Sequence, residues 1–423
     1  MNIYIEPGKN FTEEIKYVWG IFSKGKNTVF VNNKNEAEFV IDSSPDSHLP
    51  VATIFYNEIE KGNYAFTSFL SNDLYVKDSS GKNDYIATAF YMLNSLQEYD
   101  KKQGTDEIGR FRYEDSYQYK FGCIQQNIVQ ECFDKLINES PILSGFKSAS
   151  VKSFFFLSHD IDTVHGALMQ DGLYLAKKFK PLPALKIMMN AIIQNPDWLN
   201  MDKIMKIEDE YSFKSTFFWL VNKGKVNARE VNSDYDIQSS KIKSVIKQIS
   251  NNKWENGLHK SISKESLKEE ISKSGENFVA NRYHYLKYSL PEMYDAIEES
   301  GLKMDASLGF AESYGFRNNY GMPFKPFNMA KKKTYSFIEV PLHIMDGTFQ
   351  RYLKAPKEKT ADLIIDFLEK NKYNCLLSIL WHNTFFTPYK YNGYLDIYKK
   401  VLSYLYENKF DCINQSEIIE RFS

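Results

Sequence analysis

The feature that most limits the fold of this chain is a regular alternation of short apolar segments with amphipathic ones from about residue 150 onward. The apolar segments have the length and the aromatic or β-branched content of buried strands. They are residues 154–157, 215–220, 257–259, 278–282, 303–306, 337–342 and 376–381. Segments with helical periodicity separate them. Such alternation is typical of parallel βαβ units, and its extent predicts an α/β fold with a distorted (β/α) barrel of seven or eight strands.

The first third of the chain has a less regular pattern, in which strand-like and helix-like segments are mixed, as at residues 2–5 and 12–22. A chain of 423 residues is too long for one typical domain. We therefore expect a small α/β domain at residues 1–148, followed by the barrel at residues 149–423. The first domain contains no cluster of reactive side chains. It is interpreted as a structural or partner-binding module.

Composition excludes several classes of protein. The 53 basic and 54 acidic residues nearly cancel, so nucleic acid is not an expected partner. The four cysteines lack CxxC spacing, which indicates free thiols in a reducing cytoplasm. No run of about 20 apolar residues suggests a transmembrane helix, and no signal peptide is expected at the N-terminus.

Two carboxylates close the first predicted strand of the barrel. The apolar run at residues 154–157 leads to Asp160 and Asp162, spaced i and i+2. Because a strand alternates its faces, both side chains project to the same side. Two adjacent carboxylates repel each other, so a cation or a shared proton is expected beside them. A solvated, aspartate-rich turn is the other reading of this segment taken alone.

The other predicted strands also end in polar side chains. Of only seven histidines in the chain, His259, His284 and His382 follow the ends of three strands. Arg282 closes the same strand as His284, and two further strand ends carry Asp305 and Asp346. In parallel barrels, the chemistry gathers at the carboxyl ends of the strands. Converging imidazoles and carboxylates therefore predict a hydrolytic metal site there.

These segments resemble, in order, the motifs of the polysaccharide deacetylases of the NodB-homology type (carbohydrate esterase family 4). The resemblance covers residues 152–420 and favours the bacterial surface-polysaccharide branch, which carries an extra N-terminal domain. The matching segments are residues 158–162 (SHDID), 212–218 (SFKSTFF), 257–259 (GLH), 281–282 (NR), 305–309 (DASLG) and 380–383 (LWHN).

The resemblance implies a metal-dependent hydrolase that removes an N-acetyl group from an amino sugar. Asp162 and His259 would bind a divalent ion, with Zn²⁺ expected. The family usually has a second histidine four residues after the first, whereas this chain has Ser263. His284 is the preferred third ligand, and His165 is the second choice.

The resemblance also implies acid–base roles. Asp160 would accept a proton from the attacking water, and Arg282 would keep Asp160 ionised. His382 would protonate the departing amine, with Asp305 as the partner that stabilises the imidazolium. An N-acetylated sugar or a lipid-linked glycan is the expected substrate. The expected location is the cytoplasm, and a position at the inner face of the membrane is left open.

An insertion at residues 166–200 follows the first barrel strand. It mixes apolar residues with lysines at helical spacing. This pattern predicts either a helical cap over the barrel mouth or a peripheral membrane contact.

Two other functions remain open. One is a related C–N hydrolase that acts on another amide. The other is a metal-free glycan-binding or scaffold subunit, which Ser263 keeps open.

Overall fold

The computed structural model describes residues 1–44, 46–70, 72–101, 104–147, 149–193 and 196–423. Position 148, where a domain boundary was predicted, lies outside these residues, and the boundary stays a prediction. The strands and α-helices of the first part are Asn2–Ile5 (β1), Thr12–Phe22 (α1), Val29–Val31 (β2), Phe39–Ile41 (β3), Thr53–Glu60 (α2), Tyr85–Leu93 (α3), Tyr117–Phe121 (α4) and Ile128–Glu139 (α5). The three strands form a parallel sheet of order β2-β1-β3.

The second part alternates strands and helices, as its sequence predicts. Its first half contains Phe154–Ile161 (β4), Ala167–Lys177 (α6), Pro181–Ile192 (α7), Met201–Asp209 (α8), Ser215–Leu220 (β5), Ser240–Asn251 (α9), Glu255–Lys260 (β6), Leu267–Ser274 (α10), Ala280–Tyr283 (β7) and Glu292–Ser300 (α11). Its second half contains Met304–Asp305 (β8), Phe327–Asn328 (β9), Lys333–Thr334 (β10), Ile338–Glu339 (β11), Ile344–Met345 (β12), Lys357–Lys370 (α12), Leu376–Leu380 (β13), Tyr394–Glu407 (α13), Asp411–Cys412 (β14) and Gln415–Phe422 (α14).

A curled parallel sheet organises this second part. Its order is β11-β8-β7-β6-β5-β4-β13-β12, with β14 paired to the N-terminal end of β4. The edge strands β11 and β12 are joined by only four residues, 340–343, which cross from one edge to the other. Along this crossing, Val340 N–H donates to the Asp305 carbonyl and His343 N–H to the Ser378 carbonyl. The sheet is thus a curled half-barrel of eight strands, which confirms the α/β prediction.

The inside of the curled sheet is filled by one apolar layer. Its buried members include Phe156, Phe218, Ala280, Met304, Ile338 and Leu376. β6 contributes Gly257 beside Phe218, where an added Cβ would lie 2.6 Å from the ring. Because side chains on one face recur every two residues, the next inward positions toward the carboxyl ends are Ser158, His259 and Arg282. The apolar layer is therefore the floor beneath the polar strand ends.

The two parts of the chain share one continuous core. Residues 316–328, which run from the β8–β9 connection through β9, lie against the first part. Arg317 Nε and Nη2 donate to the two Glu98 oxygens at 2.8 and 2.6 Å, and both side chains are buried. Phe327 N–H donates to Asn94 Oδ1 at 2.8 Å. Polar and apolar contacts therefore join the two parts.

Candidate metal centre and active site

Asp160 is held in place by a buried arginine. Arg282 Nη1 donates to Asp160 Oδ1 and to Ser158 Oγ, both at 2.9 Å. Arg282 Nε donates to the Ala306 carbonyl at 2.8 Å, and its guanidinium lies 4.7 Å above the Phe218 ring. The arginine is fully buried and Asp160 is nearly so. This arrangement fixes the position of the carboxylate.

A cluster of three possible metal ligands lies beside this pair. One ligand atom each from Asp162, His259 and His284 lies within 4.8 Å of the other two. Asp162 Oδ1 is 3.2 Å from His259 Nε2 and 3.6 Å from His284 Nε2. The sequence-predicted ligands thus come together, with His284 in the short helical turn after β7.

The hydrogen bonds around the cluster suit a cation. His259 Nδ1 lies 2.9 Å from the Arg282 carbonyl, so it carries the proton and leaves the Nε2 lone pair directed at the cluster. Asp162 Oδ1 is buried but has no hydrogen-bond donor among the described residues. A buried carboxylate oxygen without a donor is costly unless a cation neutralises it. One carboxylate and two imidazoles with no further use for their lone pairs therefore fit a first-row divalent ion such as Zn²⁺.

His284 is supported differently from His259. Its Nδ1 has no hydrogen-bond partner among the described residues. Instead, the ring stacks on Tyr285 with centroids 3.9 Å apart. Tyr285 and Leu286 both have positive φ angles, 60° and 53°. Arg110, from the first part of the chain, donates through Nη1 to the Tyr285 carbonyl at 3.0 Å.

His382 lies on the opposite side of Asp162, with its Nε2 3.7 Å from Asp162 Oδ2. Its hydrogen-bond partner differs from the predicted one. His382 Nδ1 lies 2.7 Å from Asp346 Oδ1, and the His382 backbone N–H donates to Asp346 Oδ2 at 2.6 Å. The prediction of Asp305 as this partner is wrong. The reason is strand order: β12, which precedes Asp346, pairs with β13, whereas β8 with Asp305 pairs with β7 and β11.

Asp305 lies behind Arg282. It is fully buried and accepts hydrogen bonds from Asn281 Nδ2 at 2.7 Å and from Ser307 N–H at 2.8 Å. Burial raises the pKa of Asp305 to about 6. Burial and the nearby Asp305 raise the pKa of Glu339 well above its usual 4.5. A catalytic role for Asp305 stays a prediction, without support from a contact to His382.

Electrostatics separates the two sides of the cluster. Burial opposes a charge on His382, but Asp346, Asp162 and Asp160 together raise its pKa to about 9. Burial also disfavours the charged form of Asp162, yet the surrounding imidazoles, His284 foremost, hold its pKa well below the usual 3.8. An imidazolium and a carboxylate can therefore coexist at neutral pH.

The second-choice ligand His165 and the motif position Ser263 both lie outside the cluster. The exposed His165 lines the same cleft, and its backbone N–H donates to Asp234 Oδ2 at 2.9 Å. Ser263 donates to Glu270 Oε1 at 2.8 Å, and Lys260 Nζ also donates to that oxygen at 2.6 Å. The position at which the family usually has its second histidine thus belongs to a buried ion pair.

The cluster lies at the bottom of a cleft of about 760 Å³. Aromatic side chains line the cleft: Trp198, Tyr283, Tyr285, Tyr352, Phe385 and Tyr391. Arg110, Arg229, Arg351 and Lys390 add positive charge around it. Such a cleft suits a ring-shaped polar ligand that stacks on aromatic faces. Arg110 was missed by the sequence analysis, since nothing near it signals a place in a distant site.

Residues 8–139 match the model of a family of unknown function (DUF7033). A search of curated proteins finds no match. Among solved structures, a Mycobacterium smegmatis protein assigned to the polysaccharide deacetylases is similar at 13% identity, with 65% of this chain and 92% of that chain covered and a TM-score of 0.41.

A peptidoglycan N-acetylglucosamine deacetylase is similar at 14% identity, with 64% and 90% covered and a TM-score of 0.33. A pseudoenzyme of carbohydrate esterase family 4 from Bacillus anthracis is similar at 12%, with 63% and 66% covered and a TM-score of 0.27. Similarity at this level does not assign an activity.

Proposed function

We propose that this protein is a metal-dependent hydrolase that removes an N-acetyl group from an amino sugar. One observation carries the proposal: two histidine Nε2 atoms converge, between Asp160 and His382, on Asp162 Oδ1, which has no hydrogen-bond donor in the described part of the chain. When bound, a divalent ion such as Zn²⁺ would supply Lewis acidity at the amide carbonyl and would lower the pKa of the water that it binds.

The chain's own residues divide the proton transfers. Asp160, fixed by Arg282, accepts the proton of the attacking water. His382, kept as an imidazolium by Asp346, donates a proton to the nitrogen of the departing amine. The aromatic walls of the cleft orient the sugar. The charge asymmetry between Asp160 and His382 is what an amide requires, because its leaving amine is a poor leaving group until it is protonated.

The proposal includes the substrate and the location expected from the sequence. These are an N-acetylated sugar or lipid-linked glycan of surface-polysaccharide synthesis, handled in the cytoplasm at the inner face of the membrane. None of the helices in the described part of the chain has the length and apolarity needed to cross a bilayer. The membrane contact expected from the sequence is a peripheral one through residues 166–200, of which 194 and 195 lie outside the described residues.

The test is zinc content together with deacetylation of N-acetylglucosamine oligomers. The wild type should hold one ion per chain and release acetate. Asp160→Asn should keep the ion and lose about 10²–10⁴-fold in turnover. His284→Ala should lose the ion, whereas His165→Ala should keep it. A wild type that binds no divalent ion contradicts the proposal and favours a glycan-binding subunit. A wild type that holds the ion, leaves the N-acetylglucosamine oligomers intact and releases formate from an N-formylated amino sugar favours another amide.

A further inference from the structure

The hairpin of α6 and α7 exposes an unusual amount of apolar surface. Ten of the 21 exposed large apolar side chains in the described residues lie between positions 168 and 193. They are Leu168, Met169, Leu173, Phe179, Leu182, Leu185, Met188, Met189, Ile192 and Ile193. Concentration of this kind marks an interaction surface, whereas single exposed apolar residues are ordinary.

The exposed residues form a continuous face. On α7, Leu182, Leu185, Met189 and Ile192 recur at intervals of three and four, which places them on one side of the helix. Ile187 is the buried residue of α7 and faces the protein. Phe179, in the turn between the helices, is 93% exposed. The amphipathic pattern thus packs the hairpin by a narrow stripe and leaves its wider apolar face uncovered.

The charges of the hairpin identify the partner. Lys177, Lys178, Lys180 and Lys186 are exposed. The one acid between residues 166 and 193, Asp171, is buried and accepts hydrogen bonds from Trp198 Nε1 and Lys390 N–H, both at 3.0 Å. The exposed face is therefore apolar and cationic, without a compensating negative charge. Two copies of this face would repel each other, whereas an anionic bilayer surface matches both properties.

We propose that the α6–α7 hairpin docks onto an anionic lipid surface, with Phe179 and Leu182 entering the headgroup region. Met169 and Gln170, at the start of α6, line the cleft, so docking brings the cleft mouth close to the lipid. This docking deepens the proposed function but does not depend on it. Only its consequence for the substrate rests on the proposed function: an amino sugar carried on a lipid would be presented at the cleft.

Co-sedimentation with vesicles tests the docking. Phosphatidylcholine vesicles containing about one-third phosphatidylglycerol should bind the full chain, less so in high salt, and pure phosphatidylcholine should bind it weakly. The combined Phe179→Ser, Leu182→Ser and Ile192→Ser variant should lose at least about 10-fold in binding. Ile54→Ser, which changes a residue 63% exposed outside the hairpin, is the matched control.

Charge reversal at Lys177, Lys178 and Lys180 to Glu should weaken binding by about 10²-fold, since each lysine near an anionic surface contributes separately. Reversal of the exposed Lys241, Lys247 and Lys264 is the control and should leave binding nearly unchanged. Equal losses in both sets overturn the proposal, as does a wild type that ignores anionic vesicles. A dimer that the serine variant dissociates would identify a second copy as the occupant instead. Vesicle binding requires neither metal nor turnover, so failure of the proposed activity would be seen separately.

A second inference concerns the part of the chain that matches the family of unknown function. Residues 105–111 form a tight hairpin in which Asp106 accepts the N–H groups of Ile108 and Arg110 at 3.0 and 2.9 Å. Arg110 is only 7% exposed, and Asp106 Oδ2 accepts its Nε at 2.7 Å. Its Nη1 reaches the carbonyl of Tyr285, the residue with positive φ that stacks on His284.

We infer that Arg110 is a positioning residue for His284. Without this bond, the strained turn can relax and the Tyr285 ring can move away from His284. His284 would then lose its stacking partner, and its Nδ1 has no hydrogen-bond partner among the described residues to orient the ring instead. The inference rests on the proposed metal site.

Chelator competition on the full chain measures the effect. Arg110→Met should weaken Zn²⁺ affinity by about 10–100-fold with an unchanged circular dichroism spectrum. Arg110→Lys, which can still donate to the carbonyl, should recover part of the loss. Arg229→Met, which removes an exposed arginine paired with Glu107 on the same hairpin, is the control. Equal affinity in Arg110→Met and the wild type overturns this inference alone, whereas a wild type without metal overturns both it and the proposed function.

Discussion

The two faces of strand β4 carry buried histidine–carboxylate pairs with different properties. On the helix side, His159 Nδ1 lies 2.6 Å from the Trp381 carbonyl and His159 Nε2 lies 2.7 Å from Glu208 Oε1. Glu208 also accepts from Tyr398, Ser215 and Trp254, each at 2.7 Å. On the inner side, three positions further along and just past the end of β4, Asp162 faces His259 and His284, and its Oδ1 has no donor among the described residues.

The difference shows what distinguishes a structural pair from a reactive one. Both groups combine burial, an imidazole and a carboxylate. In the first, every polar atom of His159 and Glu208 has a partner, so no further ligand can be bound without breaking a hydrogen bond. In the second, lone pairs remain unused beside an open cleft. Residue type and burial are therefore insufficient signs of function, whereas unused hydrogen-bonding capacity is informative.

The largest expected effect comes from the inner face. His259→Ala should remove the divalent ion and reduce turnover by at least about 10³-fold, because a metal contributes several kcal/mol to the transition state. The unfolding midpoint of the variant should differ little from that of the metal-free wild type. Metal analysis and acetate release measure the first two quantities. His48→Ala, in the first part of the chain, is the control. An unchanged metal content would assign the inner face to structure.

On the helix side, Glu208→Ala should lower the free energy of unfolding by about 3–5 kcal/mol, because it leaves His159 and three donors without their acceptor. Turnover per folded molecule should stay near that of the wild type. Urea titration measures the free energy of unfolding. Turnover is divided by the concentration of folded molecules. Glu208→Gln, which keeps one acceptor oxygen, should lose less stability. Full stability combined with lost metal would reverse the assignment of the two faces.

Asp346→Asn should reduce turnover by about 10²-fold while metal content stays the same, because the amide no longer holds His382 as an imidazolium. Steady-state kinetics on an amide and on an activated ester measure the effect, and the ester should be affected less. Asp305→Asn is the comparison, since Asp305 does not contact His382. A greater loss of amide turnover in Asp305→Asn would restore the predicted pairing.

The smallest effect is the pH dependence of stability. Burial would raise the pKa of Glu208, but His159 and the donors around it hold the pKa below its usual 4.5. A carboxyl with a lowered pKa in the folded state stabilises the fold above its unfolded pKa and loses this contribution as pH falls. Unfolding free energy should therefore drop below about pH 4.5, by at most about 1.4 kcal/mol per pH unit. Glu208→Gln should flatten this slope. An identical slope in both proteins would contradict the assignment.

Local pattern was enough to predict seven strands of the second part and the residues at their ends, but not the two-residue strands β9, β10, β12 and β14. The strand at residues 376–381 is observed at Leu376–Leu380, and Asp160 and His259 lie where period-two alternation puts them. The three candidate metal ligands could be named from the sequence because each lies at the carboxyl end of its own strand: His259 within β6, and Asp162 and His284 directly after β4 and β7. The pairing of His382 could not, since Asp305 and Asp346 both follow strands. Only the crossing at residues 340–343 brings Asp346 beside β13.

Surface exposure also could not be predicted from the sequence. The pattern at residues 166–200 fits a covered cap as well as an open face, because periodicity shows which residues share a face but not what covers it. Arg110 was beyond prediction for a related reason. Its partner, Tyr285, lies 175 positions away, and no local pattern reports contacts at such a separation.

The contact between Glu98 and Arg317 bears on the order in which the chain folds as it is made. The first part emerges from the ribosome with Asn94 and Glu98 lacking the partners that residues 317–327 supply. At about 5–20 residues per second, the roughly 190 residues between α5 and β9 take about 10 to 40 s to synthesise. During that interval, a surface that is buried in the complete protein is exposed to solvent. A nascent chain stalled between these points should therefore be a substrate for chaperones, and the completed chain should not.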